Sequence, residues 1–291
     1  MTAPAPVTRR PGWARSLLRS PAGLFGIAST TVLVLCALVS LVWTPHDPVH
    51  TDVLDKWQPP SPDHLLGTDN IGRDIFSVLL AGSRVTLQVA IGSALVGAIV
   101  GVVFAVLGAL TSRWFREVIA VLIDILIAFP TLLIAMMLAS AFGGSLMVVI
   151  LAVGISFGVN IGRVTRPEIR RVSHSEFVTA GVAAGLGPVR NLTRHILPNV
   201  APVFIVQLSW CMAVAVLAET GLSYLGYGAP VSTPSWGRVL AELQAYISIH
   251  PLSVVWPGLA ITITVLGFNL LGDGLRDATD PRLGRPEVIT A

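Results

Sequence analysis

The stretch VTLQVAIGSALVGAIVGVVFAVLGALTS, Val85–Ser112, decides how the rest of the chain is read. It carries no charged side chain, and crossing the hydrocarbon core of a bilayer takes about 20 apolar residues. Small residues recur in it every four positions, at Ser93, Gly97, Gly101, Ala105 and Ala109. On a membrane helix such a stripe lets a second backbone approach closely. The stretch therefore predicts a transmembrane helix with a packing face. Being longer than one span, it should tilt or begin as an interfacial helix.

Toward the N-terminus, Ala22–Trp43 is a second uncharged run. Val118–Gly162 is too long for one span and breaks at Gly143-Gly144-Ser145, giving helices at 118–142 and 146–162. Val200–Leu222 and Leu252–Leu271 complete a set of six. Helices are required because every backbone polar group inside lipid must find a partner within its own segment. Long unbroken apolar runs also exclude the short alternating strands of a membrane barrel. A second stripe, Gly154, Gly158 and Gly162, repeats the four-residue spacing. Both stripes are expected helix–helix faces, within the chain or against a partner.

Composition agrees with an all-α integral membrane protein of six transmembrane helices. The 291 residues are 53% hydrophobic and 12% charged, and the mean hydropathy is +0.76, whereas soluble domains carry about 25% charged residues. Cys36 and Cys211 lie in apolar runs, which gives neither a disulfide framework nor metal-ligand spacing. There is no basic-aromatic surface for nucleic acid. Lys56, the only lysine, sits between Asp55 and Trp57. A Walker phosphate loop ends in Gly-Lys-Ser/Thr, so an ATP-driven cycle would need a different subunit, and no cofactor or metal is expected in this chain.

Arginine sets the orientation. With both termini in the cytoplasm, fifteen of the 19 basic residues fall inside, and Lys56, Arg73, Arg84 and Arg238 fall outside. The positive-inside rule favours this arrangement. The expected organisation is a cytoplasmic segment at 1–21, a first helix at 22–43, and an outer segment at 44–84. A five-helix core follows at 85–272, enclosing a cytoplasmic loop at 163–199, and 273–291 forms a cytoplasmic tail. The first helix reads as a retained anchor, because no small-x-small cleavage site follows it. The 163–199 loop reads either as a surface helix–turn–helix broken at Gly185, Gly187 and Pro188, or as a solvated basic loop that only sets topology.

Few residues offer chemistry. Gly154-Ile155-Ser156-Phe157-Gly158 matches the nucleophile-elbow pattern, but that motif needs a strand, a strained turn and a helix. Here it lies within an apolar helix, and packing is the better account than an intramembrane serine protease. Asp124 is the one carboxylate well inside a span, which makes it a functional candidate or a structural partner of Arg113 or Arg116. Pro130 should kink that helix. Glu219, at the outer end of the fifth helix, is expected to be solvated or to line a gate. Asn160 could bond across helices or contact a transported solute.

Several blocks, in order, carry a resemblance. Leu66-Gly67-Thr68-Asp69-Asn70-Ile71-Gly72-Arg73-Asp74 resembles the outer-loop signature of the C-type permeases of dipeptide and oligopeptide ABC importers. Ile123-Asp124 through Ala128-Phe129-Pro130, His195-Ile196-Leu197-Pro198-Asn199, Pro234-Ser235-Trp236-Gly237 and the run Phe268–Asp277 are similar to later blocks. The resemblance implies the permease fold of a type I importer in the bacterial inner membrane. It implies a second permease, two ATPase subunits (or one fused) that bind ATP and Mg, and an extracytoplasmic peptide-binding protein. It also implies that 176–198 is the EAA coupling segment, with Ala180, Gly185, Leu197 and Pro198 where the pattern expects them. Thr179 replaces the usual glutamate and Gly181 the second alanine; Glu176, one turn before Thr179, is expected to supply the acidic contact. Nickel or another small solute is the alternative cargo, and a structural scaffold the alternative role.

The arginine distribution makes a direct test. In a background lacking Cys36 and Cys211, Ser61→Cys should react with an impermeant thiol reagent in intact cells. Labelling of Thr8→Cys with protection of Ser61→Cys would reverse the orientation.

Overall fold

Backbone groups inside lipid must pair within their own helix, and among the described residues the long apolar runs of the computed structural model are helical. It describes residues 16–110, 112–230 and 232–279. The helices are α1 (Pro21–Val42), α2 (Ile75–Leu110), α3 (Arg113–Ala128), α4 (Thr131–Phe142), α5 (Leu146–Ser173), α6 (Glu176–Ala183), α7 (Pro188–Asn191), α8 (Leu197–Tyr224), α9 (Trp236–Gln244) and α10 (Pro251–Thr279). Among the described residues the one strand-like feature is an isolated bridge between Thr68 and Asp74. Five helices are long and apolar enough to cross a membrane, and α3 with α4 makes a sixth if the pair is one broken span. Arg9, Arg10, Arg15, Arg282 and Arg285, which weighed in the orientation, lie outside the described residues.

Several boundaries move relative to the sequence expectation. α2 begins ten residues before Val85, so Arg84 lies within the helix, where its Nε donates to Ser40 Oγ of α1 at 2.6 Å. At 36 residues and 1.5 Å rise, α2 is about 54 Å long, more than a bilayer core requires. α5 runs on to Ser173, so the first part of the supposed 163–199 loop is helix. The kink expected at Pro130 is a full break, with α3 and α4 meeting at 75°. Proline lacks the N–H that would continue the ladder, and it pushes the preceding residue to extended backbone; Phe129 has φ −87° and ψ 126°.

The two small-residue stripes face each other. A methyl group on Gly158 would stand 2.7 Å from Val100 Cβ and 3.0 Å from the Gly97 carbonyl. One on Gly154 would stand 2.6 Å from Val96 Cβ and 3.0 Å from the Ser93 carbonyl, and one on Gly162 would stand 2.6 Å from Phe104 Cβ. From the other side, a methyl on Gly101 would stand 2.6 Å from Ile161 Cγ2. Ser93 and Ala105 are fully buried in this seam. The stripes therefore make an intrachain contact. On the opposite side of α2, Leu95, Ile99 and Val103 stay exposed, as expected of side chains that meet lipid or another subunit.

α8 packs against both members of this pair. Val89, Val149, Val153, Ala215 and Leu222 close a core that also takes Ala135 of α4. α1 and α10 pair on the far side, again through small residues: a methyl on Gly26 would stand 2.5 Å from the Leu271 nitrogen, and one on Gly274 would stand 2.8 Å from Gly23 Cα.

The clearances rank the glycines. Gly158→Ala or Gly101→Ala should lower stability in detergent by about 1–3 kcal/mol, the usual cost of overpacking. Gly97→Ala should be milder, because its methyl would meet Cys211 Sγ at 3.4 Å and the Gly154 carbonyl at 3.4 Å. Thermal unfolding of the three variants, side by side, checks the order.

Candidate functional site

The arginine-rich end carries a short ledge. Ser175 leaves α5 with extended backbone and its N–H donates to the Val172 carbonyl at 3.0 Å. α6 follows, and its inner face inserts Val178 among Ala105, Ala109, Ile169, Val172 and Ile196, under the ends of α2, α5 and α8. The buried amide of Asn191 donates to the Val178 carbonyl at 3.4 Å and ties α6 to the chain that returns. α6 closes with a glycine cap. Leu186 N–H bonds the Gly181 carbonyl at 3.0 Å and Gly185 N–H the Val182 carbonyl at 2.9 Å, while Gly185 has φ +83°. This is the left-handed cap that glycine accepts without penalty. Pro188 then starts α7, and a π turn at Leu192–Ile196 leads into α8. The widened turn precedes Pro198, which has no N–H to offer the carbonyl four residues back.

The outer face of the ledge is exposed and unusually apolar. Phe177 is 48% exposed, Val182 59% and Val189 72%. Glu176, Thr179, Ala180 and Gly185 are also exposed, whereas Gly181 is buried. A methyl at Gly181 would meet Leu186 Cδ1 at 3.2 Å and Asn191 Oδ1 at 3.4 Å, so glycine rather than alanine fits this turn. Arg171 pairs with Glu168 at 2.5 Å, and among the described residues Glu176 has no ion-pair partner. Leu197 and Pro198 open α8.

The opposite end is held by two carboxylates of the 66–74 block. Asp69 accepts from Ile71 N–H and Arg73 N–H, both at 2.9 Å, and from Arg73 Nε at 2.6 Å. Arg73 also reaches Glu242 of α9. Burial works against the Arg73 charge, but Asp69 and Glu242 outweigh it and hold the guanidinium above its ordinary value. Gly72, at φ +83°, lies where a side chain would strike the Asp52 carbonyl. Asp74 caps α2, accepting from Ser77 N–H at 2.8 Å and Ser77 Oγ at 2.6 Å, the geometry expected of a carboxylate at a helix N-terminus.

Glu219 is not solvated. It is 0% exposed, and its Oε1 accepts from Ser223 Oγ at 2.6 Å and Ser235 Oγ at 2.8 Å. Ser235 is the N-cap residue of α9, so the carboxylate joins α8 to α9. The next two residues continue the contact. Trp236 Nε1 donates to the Leu79 carbonyl at 2.8 Å, and Gly237 lies directly on the Thr220 backbone. The expectation that Glu219 is solvated or lines a gate follows from its place at the end of the fifth helix. Burial comes instead from the segment after α8, which folds back over the carboxylate. Asp124, exposed on α3, pairs with neither Arg113 nor Arg116; Arg113 meets Glu117 at 3.4 Å instead. Asn160 is half-buried on α5. Ser156 lies in continuous helix, which lacks the strained turn of a nucleophile elbow. Asp124, Asn160 and Glu219 thus sit on three different helices.

Membrane-length helices packed at glycine seams, an exposed ledge at one end and an ion-paired clasp at the other define a multi-pass helical membrane protein. A family model described as binding-protein-dependent transport system inner membrane component matches residues 95–285. A putative peptide transport system permease protein of Brucella suis biovar 1 (strain 1330) is 37% identical over 276 residues, covering 93% of this chain and 91% of its own. The dipeptide transport system permease protein DppC of Alkalihalophilus pseudofirmus is 33% identical over 269 residues, covering 92% and 88%. A probable peptide ABC transporter permease protein of Sinorhizobium fredii is 39% identical over 267 residues, covering 92% and 91%. The chain belongs to this family of transport-system membrane components.

The buried carboxylate supports a thermodynamic test. Ser235→Ala should destabilise the protein by about 1–3 kcal/mol, the cost of leaving a buried acceptor short of a donor. The same change in a Glu219→Ala background should cost much less. A double-mutant cycle on thermal unfolding measures the difference.

Proposed function

We infer that this chain is a pore-forming subunit of an ATP-driven importer of short peptides. The single observation that carries the mechanism is the α6 ledge. It is anchored beneath three long helices by Val178 and Asn191, yet it presents Glu176, Phe177 and Val182 outward. A rigidly held, partly apolar surface at the arginine-rich end suits docking of an ATPase subunit. Movement of such a subunit would pass directly to α2, α5 and α8, whose ends share the ledge's core.

In this reading the ledge faces the cytoplasm, as do both termini, in the bacterial inner membrane. The 44–74 segment and α9 face the binding protein outside. ATP and Mg belong to the partner ATPases, and a second, homologous permease completes the pathway. The relatives' names support peptides as the cargo. Closure of the nucleotide domains would swing the permease pair between inward- and outward-facing states, with no bond made or broken in this chain.

Glu176 lies three residues before Thr179, on the same side of α6, and is free to meet a basic residue of an ATPase. In the reconstituted complex, Glu176→Ala should lose a charge-assisted contact of about 1.5–3 kcal/mol and weaken ATPase binding roughly ten- to a hundredfold. Gly185→Val should strain the cap at φ +83°, and Thr179→Glu should retain or strengthen binding. Dipeptide uptake and ATPase affinity are measured together. Wild-type values in both Glu176→Ala and Gly185→Val would remove the coupling role, and uptake of labelled nickel but not dipeptide would change the cargo.

A further inference from the structure

A second cluster at the clasp end has no part in coupling. His46 lies just after the end of α1, His64 lies in the turn before the 66–74 block, and Asp74 caps α2. His64 Nδ1 is 3.2 Å from Asp74 Oδ1, and His46 Nδ1 is 3.8 Å from Asp74 Oδ2. The two imidazole rings are 4.6 Å apart and tilted by 31°. One donor atom from each residue falls within 4.8 Å of the other two.

The three backbones are fixed independently of any ligand. His46 N–H donates to Ser77 Oγ at 3.0 Å, the same hydroxyl that donates to Asp74. His64 is held in its turn by its N–H to Ser61 Oγ at 3.1 Å, and its carbonyl accepts from Ser61 N–H and Gly67 N–H, both at 2.9 Å. Asp74 is 3% exposed and His64 9%, while the His46 side chain is 43% exposed. The cluster is thus preorganised at its base and open on one side.

We propose that His46, His64 and Asp74 form a binding site for a divalent transition-metal ion of the Zn²⁺ class on the outer face of the protein. Tetrahedral zinc with bonds of 2.0–2.1 Å spaces its ligands about 3.3 Å apart, close to the 3.2 Å between His64 Nδ1 and Asp74 Oδ1, and a His46 donor atom falls within 4.8 Å of the other two ligands. Two imidazoles and one carboxylate suit Zn²⁺, Ni²⁺ or Cu²⁺, whereas Ca²⁺ and Mg²⁺ take oxygen ligands almost alone. The open side at His46 leaves the fourth position to water. Asp74 keeps one oxygen for the helix cap and offers the other to the ion, so its hydrogen bonds to Ser77 act as the outer shell that orients a ligand. Bound metal would pin the exit of α1, the outer-loop turn and the start of α2 to one point.

The test uses the full chain without a polyhistidine tag, in lipid nanodiscs. Calorimetric titration with Zn²⁺ should show one site, and Ca²⁺ and Mg²⁺ should show none. Zn²⁺ should also raise the melting temperature. His46→Ala should weaken Zn²⁺ binding at least tenfold while leaving the metal-free melting temperature unchanged, because that side chain is half-exposed. His64→Ala should weaken binding likewise. If it instead compromises folding, His46→Ala decides alone. Co²⁺ substitution gives an independent readout: a tetrahedral visible absorption in the wild type that is absent in His46→Ala. No Zn²⁺ binding by the wild type, or undiminished binding by His46→Ala, overturns the site.

Discussion

The close approach of α2 and α5 is the contact on which the remaining packing depends. Lipid supplies little hydrophobic driving force between two apolar helices, so association relies on van der Waals contact at short range. Gly154, Gly158 and Gly162 bring the α5 backbone onto Val96, Val100 and Phe104, and the α2 carbonyls at Ser93, Gly97 and Gly101 sit in the gaps between them. That pair forms the surface on which α8 lies, and Cys211 of α8 donates its thiol to the Ser93 carbonyl at 3.7 Å inside the same seam. The α1–α10 pair repeats the device with Gly23, Gly26, Gly267 and Gly274. The α1–α10 pair meets α2 and α8 across Leu33, Ala90, Ala213, Val216 and Phe268.

Polar groups then fix what apolar packing leaves loose at the ends. Outside the bundle, backbone need not be helical, and the 44–74 segment is held by carboxylates accepting N–H groups and by Trp57, which packs against Val78, Val239 and Leu243. Asp69 organises its own turn and the Arg73 side chain, Arg73 reaches across to α9, and Asp74 starts α2. Glu219 does the corresponding task between α8 and α9 with two serine hydroxyls. Arg73 with Glu242 ties the start of α2 to α9, and Glu219 with Ser235 ties α8 to α9, so these ends of α2, α8 and α9 are joined to one another.

At the other end, the ledge is joined to the bundle by apolar contact and one amide hydrogen bond, with its turn set by Gly185. An element anchored on one face and exposed on the other can transmit a push without taking part in the chemistry that produces it. The metal cluster lies at the far end of α2. α2 therefore runs from the ledge's core at Ala105 and Ala109 to the cap at Asp74, and it is the one rigid element joining both proposed sites.

Much of this was legible in the residues themselves. Unbroken apolar runs forced helices because lipid offers the backbone no other partner, and the spacing of Gly154, Gly158 and Gly162 announced a close contact. The Gly185–Pro188 break was visible because glycine and proline restrict the backbone locally. The helix–turn–helix reading of that stretch describes what forms there, with its second arm continuous with α8. The α1–α10 glycines carry a fainter form of the same signal, with Gly23 and Gly26 three apart and Gly267 and Gly274 seven apart, both helical spacings. Which stripe meets which is not in any local pattern, since each would accept another small-residue face equally well. The burial of Glu219, the link from Arg73 to Glu242, and the meeting of His46, His64 and Asp74 depend on chain segments that return from a distance. Where the long apolar helices run and where the Gly185 turn falls could be read from the residues, because both follow from solvent and local backbone geometry; the full break at Pro130 and the short helix α9 could not. Which polar groups share a partner is settled by the folded chain alone, because hydrogen bonds and ion pairs act over a few ångströms and folding sets that distance.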